Sequence, residues 1–259
     1  MTLWTSNQDP GSIAVSVVVP AFNEARTVDA HLRLLVDWLH GLPWTSELIV
    51  VDDGSTDRTA EIIHRWTEQL PALRLISLLP NQGRGAALRA GINAARGRIV
   101  LTTEADLSWS FQCLELLIDR VASGTADIAI ASPHGDGGGM QGVPLFRVAI
   151  SRCGNTLAGA VLGSGITMAT GMTRAYRADI LHRALSPKDG KEFHLDVLTR
   201  AIRCGASFCE VPAVIRWRNP AERRQRLPSL FVMARTIAIH LGLLGRHALG
   251  SWHHRLGRS

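Results

Sequence analysis

Lysine is nearly missing from this chain. Of 28 basic residues only Lys188 and Lys191 are lysines, and there is a single tyrosine. The positive charge is therefore almost all guanidinium, which suits planar recognition of phosphate and carboxylate; genome base composition produces the same bias. Cysteine is also scarce. Cys113, Cys153, Cys204 and Cys209 form no C-x-x-C pair and no zinc spacing, which argues against a disulfide framework and for reduced thiols in a cytoplasmic protein. The histidines never pair as H-x-x-x-H and read as structural. His194, beside Asp196, is the one exception. The N-terminus shows no basic-then-apolar run, so no signal peptide is expected. No stretch of about 18 uninterrupted apolar residues occurs, so no spanning helix is expected. Internal repeats and low-complexity tracts are absent.

What is present suits a folded domain. The hydrophobic fraction is 46% over 259 residues, enough for one large α/β domain or two small ones. A net charge of +6 fits nucleic acid, an anionic membrane face or phosphorylated substrates. From Val15 onward, short β-branched runs alternate with helical patterns. VSVVV (Val15–Val19) ends at Pro20, and a helix follows as far as Gly41. ELIVV (Glu47–Val51) leads into DDGSTD, with Asp57 a candidate helix cap. Leu73–Leu79, Arg98–Thr103 and Asp127–Ser132 are further strands; NQGRGAALRAGINAA is a glycine-bearing loop running into a helix, and Phe111–Val121 is another helix. This alternation predicts a mainly parallel sheet covered by helices on both faces. Gly135–Gly139 reads as a flexible loop or lid. Residues 143–162 and 191–203 read as helices, residues 166–178 as irregular or extended, and 207–217 as short strands.

The acidic residues fall where such a sheet binds ligands, at strand carboxyl ends. Glu104 and Asp106 follow Thr103 at once. On an extended backbone they would project to the same side, and two like charges so close call for a cation between them. Mg²⁺ or Mn²⁺ is the natural partner for such oxygens. Asp52 and Asp53 end the second strand in the same way, where a carboxylate accepts hydrogen bonds from a base or ribose. Asp53-Gly54 also reads simply as a turn. In NQGRGA, Arg84 sits between two glycines that would let backbone N–H groups approach phosphate.

VVVPAFNE, ELIVVDDGSTDRT, NQGRGAALRAG, TTEADLSW and EFHLDVLTRA…EVP follow in order the motifs of family 2 glycosyltransferases. The chain most resembles the dolichol-phosphate (polyprenyl-phosphate) mannosyl- and glucosyltransferase branch. The likeness covers about residues 15 to 215. It implies a GT-A fold, a nucleotide-diphospho-sugar donor and a divalent metal. By motif position Pro20, Phe22, Glu24 and Ala105 would line the nucleotide-sugar pocket with Arg84, and Asp52 and Asp53 would hold base and ribose. Glu104 and Asp106 would stand in the D-x-D metal motif. Arg147, Ser151 and Asn155 match an R…S…N helix, and Asp196 matches an acidic position near the acceptor. The chain departs from the family at Glu104 for Asp, Arg84 for Lys, Thr167 for an acid and Ser108 for Gln.

The expected reaction is inverting, metal-assisted glycosyl transfer with no nucleic-acid partner. The acceptor is read as a polyprenyl phosphate at the cytoplasmic membrane face. Arg147 would hold its phosphate, with Arg174 and Arg177 as helpers. If the acceptor is instead a hydroxyl, on a soluble molecule or a lipid, Asp196 is the expected base. A non-catalytic sugar-nucleotide or membrane module is the alternative from another class. The expected organisation is a lead-in (1–14), a catalytic domain (15–215) and a basic, apolar C-terminal helical segment (216–259) beside an anionic leaflet.

Overall fold

The β-branched runs form strands because each is too short and too apolar for anything but the middle of a sheet. In the computed structural model, which describes residues 13–162 and 165–217 and also Gly242, the chain begins with Val15–Ala21 (β1), Val28–His40 (α1), Ser46–Asp52 (β2), Thr59–Gln69 (α2), Leu73–Ser77 (β3), Arg84–Ala94 (α3), Ile99–Thr102 (β4), Phe111–Ala122 (α4) and Ile128–Ser132 (β5). After these come Gly139–Gln141 (β6), Leu145–Leu162 (α5), Arg174–Arg177 (β7), Ala178–Ala184 (α6), Phe193–Arg203 (α7), Phe208–Pro212 (β8) and Val214–Arg216 (β9).

Seven strands make one sheet in the order β3-β2-β1-β4-β7-β5-β8. β7 runs antiparallel to both neighbours, and the other pairs are parallel. Side chains alternate between faces, as the period of a strand requires. Val17, Val19, Leu48 and Val50 pack with residues of α1, α2 and α4. Val18, Ile49 and Val51 pack on the other side with residues of α3, α6 and α7. The expected two-sided layering is what the structure shows.

Several local expectations change. Pro20 does not end β1; it continues the strand opposite Val51. The Gly135–Gly139 segment is not a free lid. Gly138 donates to the Gly135 carbonyl at 2.9 Å, and Gly139 opens β6, which pairs with β9. The 166–178 stretch contributes β7, and α6 follows it without a break. Among the described residues no helix is long and apolar enough to cross a membrane. The expected membrane-associated segment lies outside the described residues apart from Arg216, Trp217 and Gly242, and the lead-in apart from Ile13 and Ala14.

Ser110 caps α4 by accepting from the Cys113 N–H at 3.2 Å. Cys113 is buried there, and burial together with the Glu104 carboxylate pushes its thiol up to about 12. A protonated buried thiol is a poor nucleophile. Iodoacetamide at about pH 8 should therefore modify the exposed Cys153 and Cys204 and spare Cys113 until the protein unfolds. Peptide mass mapping checks this, and rapid modification of Cys113 in the folded protein would contradict it.

Candidate active site

The parallel register sets the carboxyl ends of β1, β2 and β4 side by side: Ala21 lies opposite Asp52, and Val18 opposite Thr102. The chain leaves each strand there, and an open cleft of about 480 Å³ lies at that edge. Its walls include Pro20, Phe22, Glu24, Asp53, Arg84, Glu104, Ala105 and Asp106. Those eight of the sequence-predicted site residues therefore meet in one place.

Side chains of the DDGSTD turn and of Thr59, which opens α2, hold the rim. Ser55 Oγ accepts from the Asn23 N–H at 2.9 Å, Thr59 Oγ1 from Glu24 at 2.8 Å and Asp57 Oδ2 from Ala25 at 3.2 Å. Asn23 answers by accepting from the Thr56 N–H at 2.9 Å. Asn23 has φ 54°, a left-handed conformation that asparagine tolerates better than most residues. Asp57 also accepts from the Thr59 N–H at 3.0 Å, but the cap position of α2 is held by Arg58, so Asp57, the expected cap, stands one residue ahead of it.

Asp53 has a structural task as well. Its carboxylate accepts from the Gln82 N–H at 2.8 Å, the Gly83 N–H at 3.0 Å and Asn81 Nδ2 at 3.0 Å. The glycine loop thus spends two backbone N–H groups on Asp53 rather than offering them to phosphate. Gly85 N–H is also taken, by the Asp189 carbonyl at 2.7 Å. A Cβ on Gly85 would lie 2.5 Å from the Lys188 carbonyl oxygen. The glycine there admits the 188–190 backbone, which brings Gly190 and Lys191 to the cleft. Asp52 is not on the cleft wall. It is buried, and its Oδ1 has no hydrogen-bond partner.

Glu104 and Asp106 are not on an extended strand. β4 ends at Thr102, and the two acids sit in a tight turn closed by Leu107 at φ 51°. The turn still brings both to the cleft. Asp106 Oδ1 accepts from the Ser108 N–H at 3.0 Å. Glu104 Oε2 accepts from Thr173 Oγ1, which stands beside Thr103 Oγ1. Two carboxylates are an all-oxygen donor set that suits Mg²⁺ or Mn²⁺ completing its shell with diphosphate oxygens and water.

Three expected residues are elsewhere. Arg174 is fully buried. Its guanidinium donates to the His194 carbonyl at 3.0 Å and the Ala169 carbonyl at 2.6 Å, so it braces backbone and is not among the residues lining the cleft. Arg177 lies at the opposite edge of the sheet, because β7 runs antiparallel and sets Arg177 opposite Ile99. It is ion-paired to Asp127 at 2.8 Å and Asp179 at 2.7 Å. Asp196 is buried in α7 and does not line the cleft. Its Oδ2 accepts from Ser186 Oγ at 2.7 Å and Arg200 Nε at 2.8 Å. Trp109, directly after the acidic turn, is a core residue at 4% exposure.

Lys191 is a wall residue that sequence reasoning passed over. The available signal was its rarity, as one of two lysines. Burial, then Arg84 and Arg147, lower its pKa. Arg147 is therefore close enough to be felt at the cleft, although it is not among the wall residues. Its guanidinium lies 5.3 Å from the Trp217 ring, and its Nε is buried without a partner.

The model of glycosyl transferase family 2 matches residues 16–185. The chain belongs to glycosyl transferase family 2. This glycosyltransferase is 34% identical over 218 residues to polyprenol monophosphomannose synthase of Mycolicibacterium smegmatis, covering 80% of each chain. It is 32% identical over 120 residues to a dolichyl-phosphate beta-glucosyltransferase of Trichomonas vaginalis, covering 44% of this chain and 37% of that one. Its fold matches the Mycobacterium tuberculosis glucosyl-3-phosphoglycerate synthase solved with Mn²⁺ and UDP-glucose, with TM-score 0.67 and 19% identity over 91% of this chain and 79% of that one. The fold is GT-A, and the enzyme takes its sugar from a nucleotide-sugar.

Two variants separate structural from ligand-facing roles. Arg174→Met should destabilise the fold by about 2–4 kcal/mol, since buried carbonyls lose a charged donor. Urea unfolding reads this, and wild-type stability with a raised acceptor KM would restore Arg174 to the acceptor site. Asp53→Asn turns a donor amide toward N–H groups. It should cost about 1–3 kcal/mol and weaken donor binding together with stability; calorimetric titration with unchanged donor affinity would refute that coupling.

Proposed function

We propose that this enzyme transfers a hexose, with inversion, from a nucleoside-diphospho-sugar to the phosphate of a polyprenyl phosphate. The observation that carries the acceptor is the basic group Arg84, Lys191 and Arg147. Burial first, and then the charges of Arg84 and Arg147, lower the pKa of Lys191, and Arg147 holds a buried, unpartnered Nε. An anion relieves both, and a phosphate matches the guanidinium fork. The similarity to a polyprenol monophosphomannose synthase points the same way.

In this reading Glu104 and Asp106 hold Mg²⁺ or Mn²⁺, which supplies charge neutralisation for the leaving diphosphate. Phe22, Glu24 and Ala105 bound the donor, and Asp53 keeps the loop beneath it in place. An acceptor phosphate oxygen attacks the anomeric carbon opposite the leaving group; the anomeric C–O bond breaks and the configuration inverts. The attacking oxygen is already ionised, so no base is needed. This suits a site whose expected base, Asp196, is buried behind Ser186 and Arg200. An acceptor with a lipid tail is met at a membrane, so we place the enzyme peripherally at the cytoplasmic face.

Exhaustive chelation should abolish transfer, and Asp106→Asn should lower it about 100-fold, roughly 3 kcal/mol in barrier. Full activity after chelation contradicts the metal role. For the acceptor, radiolabelled donor is offered with polyprenyl phosphate, diacylglycerol or a soluble sugar acid. Label should enter the polyprenyl phosphate, and Arg147→Ala should raise its KM about tenfold or more while donor affinity holds. Label in the hydroxyl acceptors alone would overturn the reading.

A further inference from the structure

Glu104 stands where the D-x-D motif has aspartate. Its carboxylate sits on an arm one methylene longer, with one more bond to turn about. Fixing such an arm on a ligand costs side-chain entropy. Glu104 lines the cleft, yet its carboxylate is already held from behind. Its Oε2 accepts from the hydroxyl of Thr173. Thr173 is 1% exposed and is not among the cleft's wall residues, so it acts on the site through Glu104.

The strand register makes this contact. β7 runs antiparallel to β4 with Thr102 opposite Arg174, which sets Thr103 opposite Thr173 one step past the last pair. Alternation sends neighbours to opposite faces of the sheet. Arg174 goes to one face and braces the His194 carbonyl. Thr173 goes to the other, beside Thr103, and their hydroxyl oxygens lie 3.3 Å apart. A threonine hydroxyl has one hydrogen and two lone pairs. Thr173 gives its hydrogen to Glu104, so Thr103 is the donor between the two hydroxyls. The bonds run as a chain from Thr103 to Thr173 to the Glu104 carboxylate, each polarising the next. The backbone around Thr173 is pinned as well. Thr102 Oγ1 donates to the Met172 carbonyl at 2.6 Å, and the Ala131 N–H donates to the Thr173 carbonyl at 3.1 Å.

We propose that Thr173 is a positioning residue for metal uptake. Its hydroxyl, backed by Thr103, fixes the Glu104 carboxylate in one orientation and so lets the longer acid serve beside Asp106. A ligand oxygen set in place before the cation arrives spares the entropy of ordering it afterwards. The proposal rests on the reading of Glu104 and Asp106 as metal ligands.

The test titrates the full chain with Mn²⁺ in the presence of UDP or GDP and reads free Mn²⁺ by electron paramagnetic resonance. Thr173→Val keeps the shape and removes the donor. It should raise the Mn²⁺ dissociation constant about tenfold. Thr173→Ser keeps the hydroxyl and should stay within about twofold of wild type. Thr103→Val leaves Thr173 in place and should weaken uptake by a smaller factor, about threefold; it also decides the matter where Thr173→Val does not fold. Nucleotide affinity measured in EDTA should be unchanged in all three, which a general distortion of the cleft would not allow. Wild-type Mn²⁺ uptake by Thr173→Val, or by Thr103→Val, overturns the proposal. An equal loss of metal-free nucleotide affinity overturns it too, because Thr173 is then a packing residue. Asp106→Asn separates this inference from the reading beneath it. If that variant abolishes uptake and Thr173→Val does not lower it, the metal site stands and the positioning role alone falls. If neither changes uptake, both fall.

Discussion

The parallel register of β1, β2 and β4 is the constraint on which the rest depends. It brings three chain exits to one edge with Ala21 opposite Asp52 and Val18 opposite Thr102. A one-residue slip in any of them would exchange the two faces of the strand and misplace its exit. The buried valines, leucines and isoleucines of these strands hold the register from both faces. The cleft is therefore an outcome of core packing, and its acids are carried on short exits from rigid strands.

The cleft joins two opposite electrostatic demands. On one side Glu104 and Asp106 repel each other unless a cation joins them. On the other, the partly buried Lys191 stands with Arg84 and Arg147, and burial together with their charge lowers its pKa. A diphosphate between a metal and a basic edge answers both demands, and a phosphate acceptor extends the same logic. Asp53 shows how the site economises, since one carboxylate both lines the cleft and ties down the glycine loop.

The alternating part of the chain was legible in its sequence. Runs such as VSVVV and ELIVV leave few alternatives, and their acidic ends mark the ligand edge. Arg174 and Arg177 were misplaced because composition does not reveal strand direction: β7 returns antiparallel, burying one arginine and carrying the other to the far edge. The E-x-D pair reached the cleft, but from a turn, since a leucine at positive φ leaves no trace in a hydropathy pattern. The R…S…N helix was recognised for its inward residues, among them Ser151 and Asn155, which hydrogen bonds hold there.

The central claim is that the acidic turn after β4 and the neighbouring strand exits form one metal and diphosphate site. Electron paramagnetic resonance of Mn²⁺ tests it most directly, with UDP or GDP added to the wild type and to Asp106→Asn. The account predicts that the free-ion signal falls when protein and one nucleoside diphosphate are both present, and that Asp106→Asn abolishes this uptake. Undiminished uptake by the variant, or no nucleotide-dependent uptake by the wild type, would contradict it.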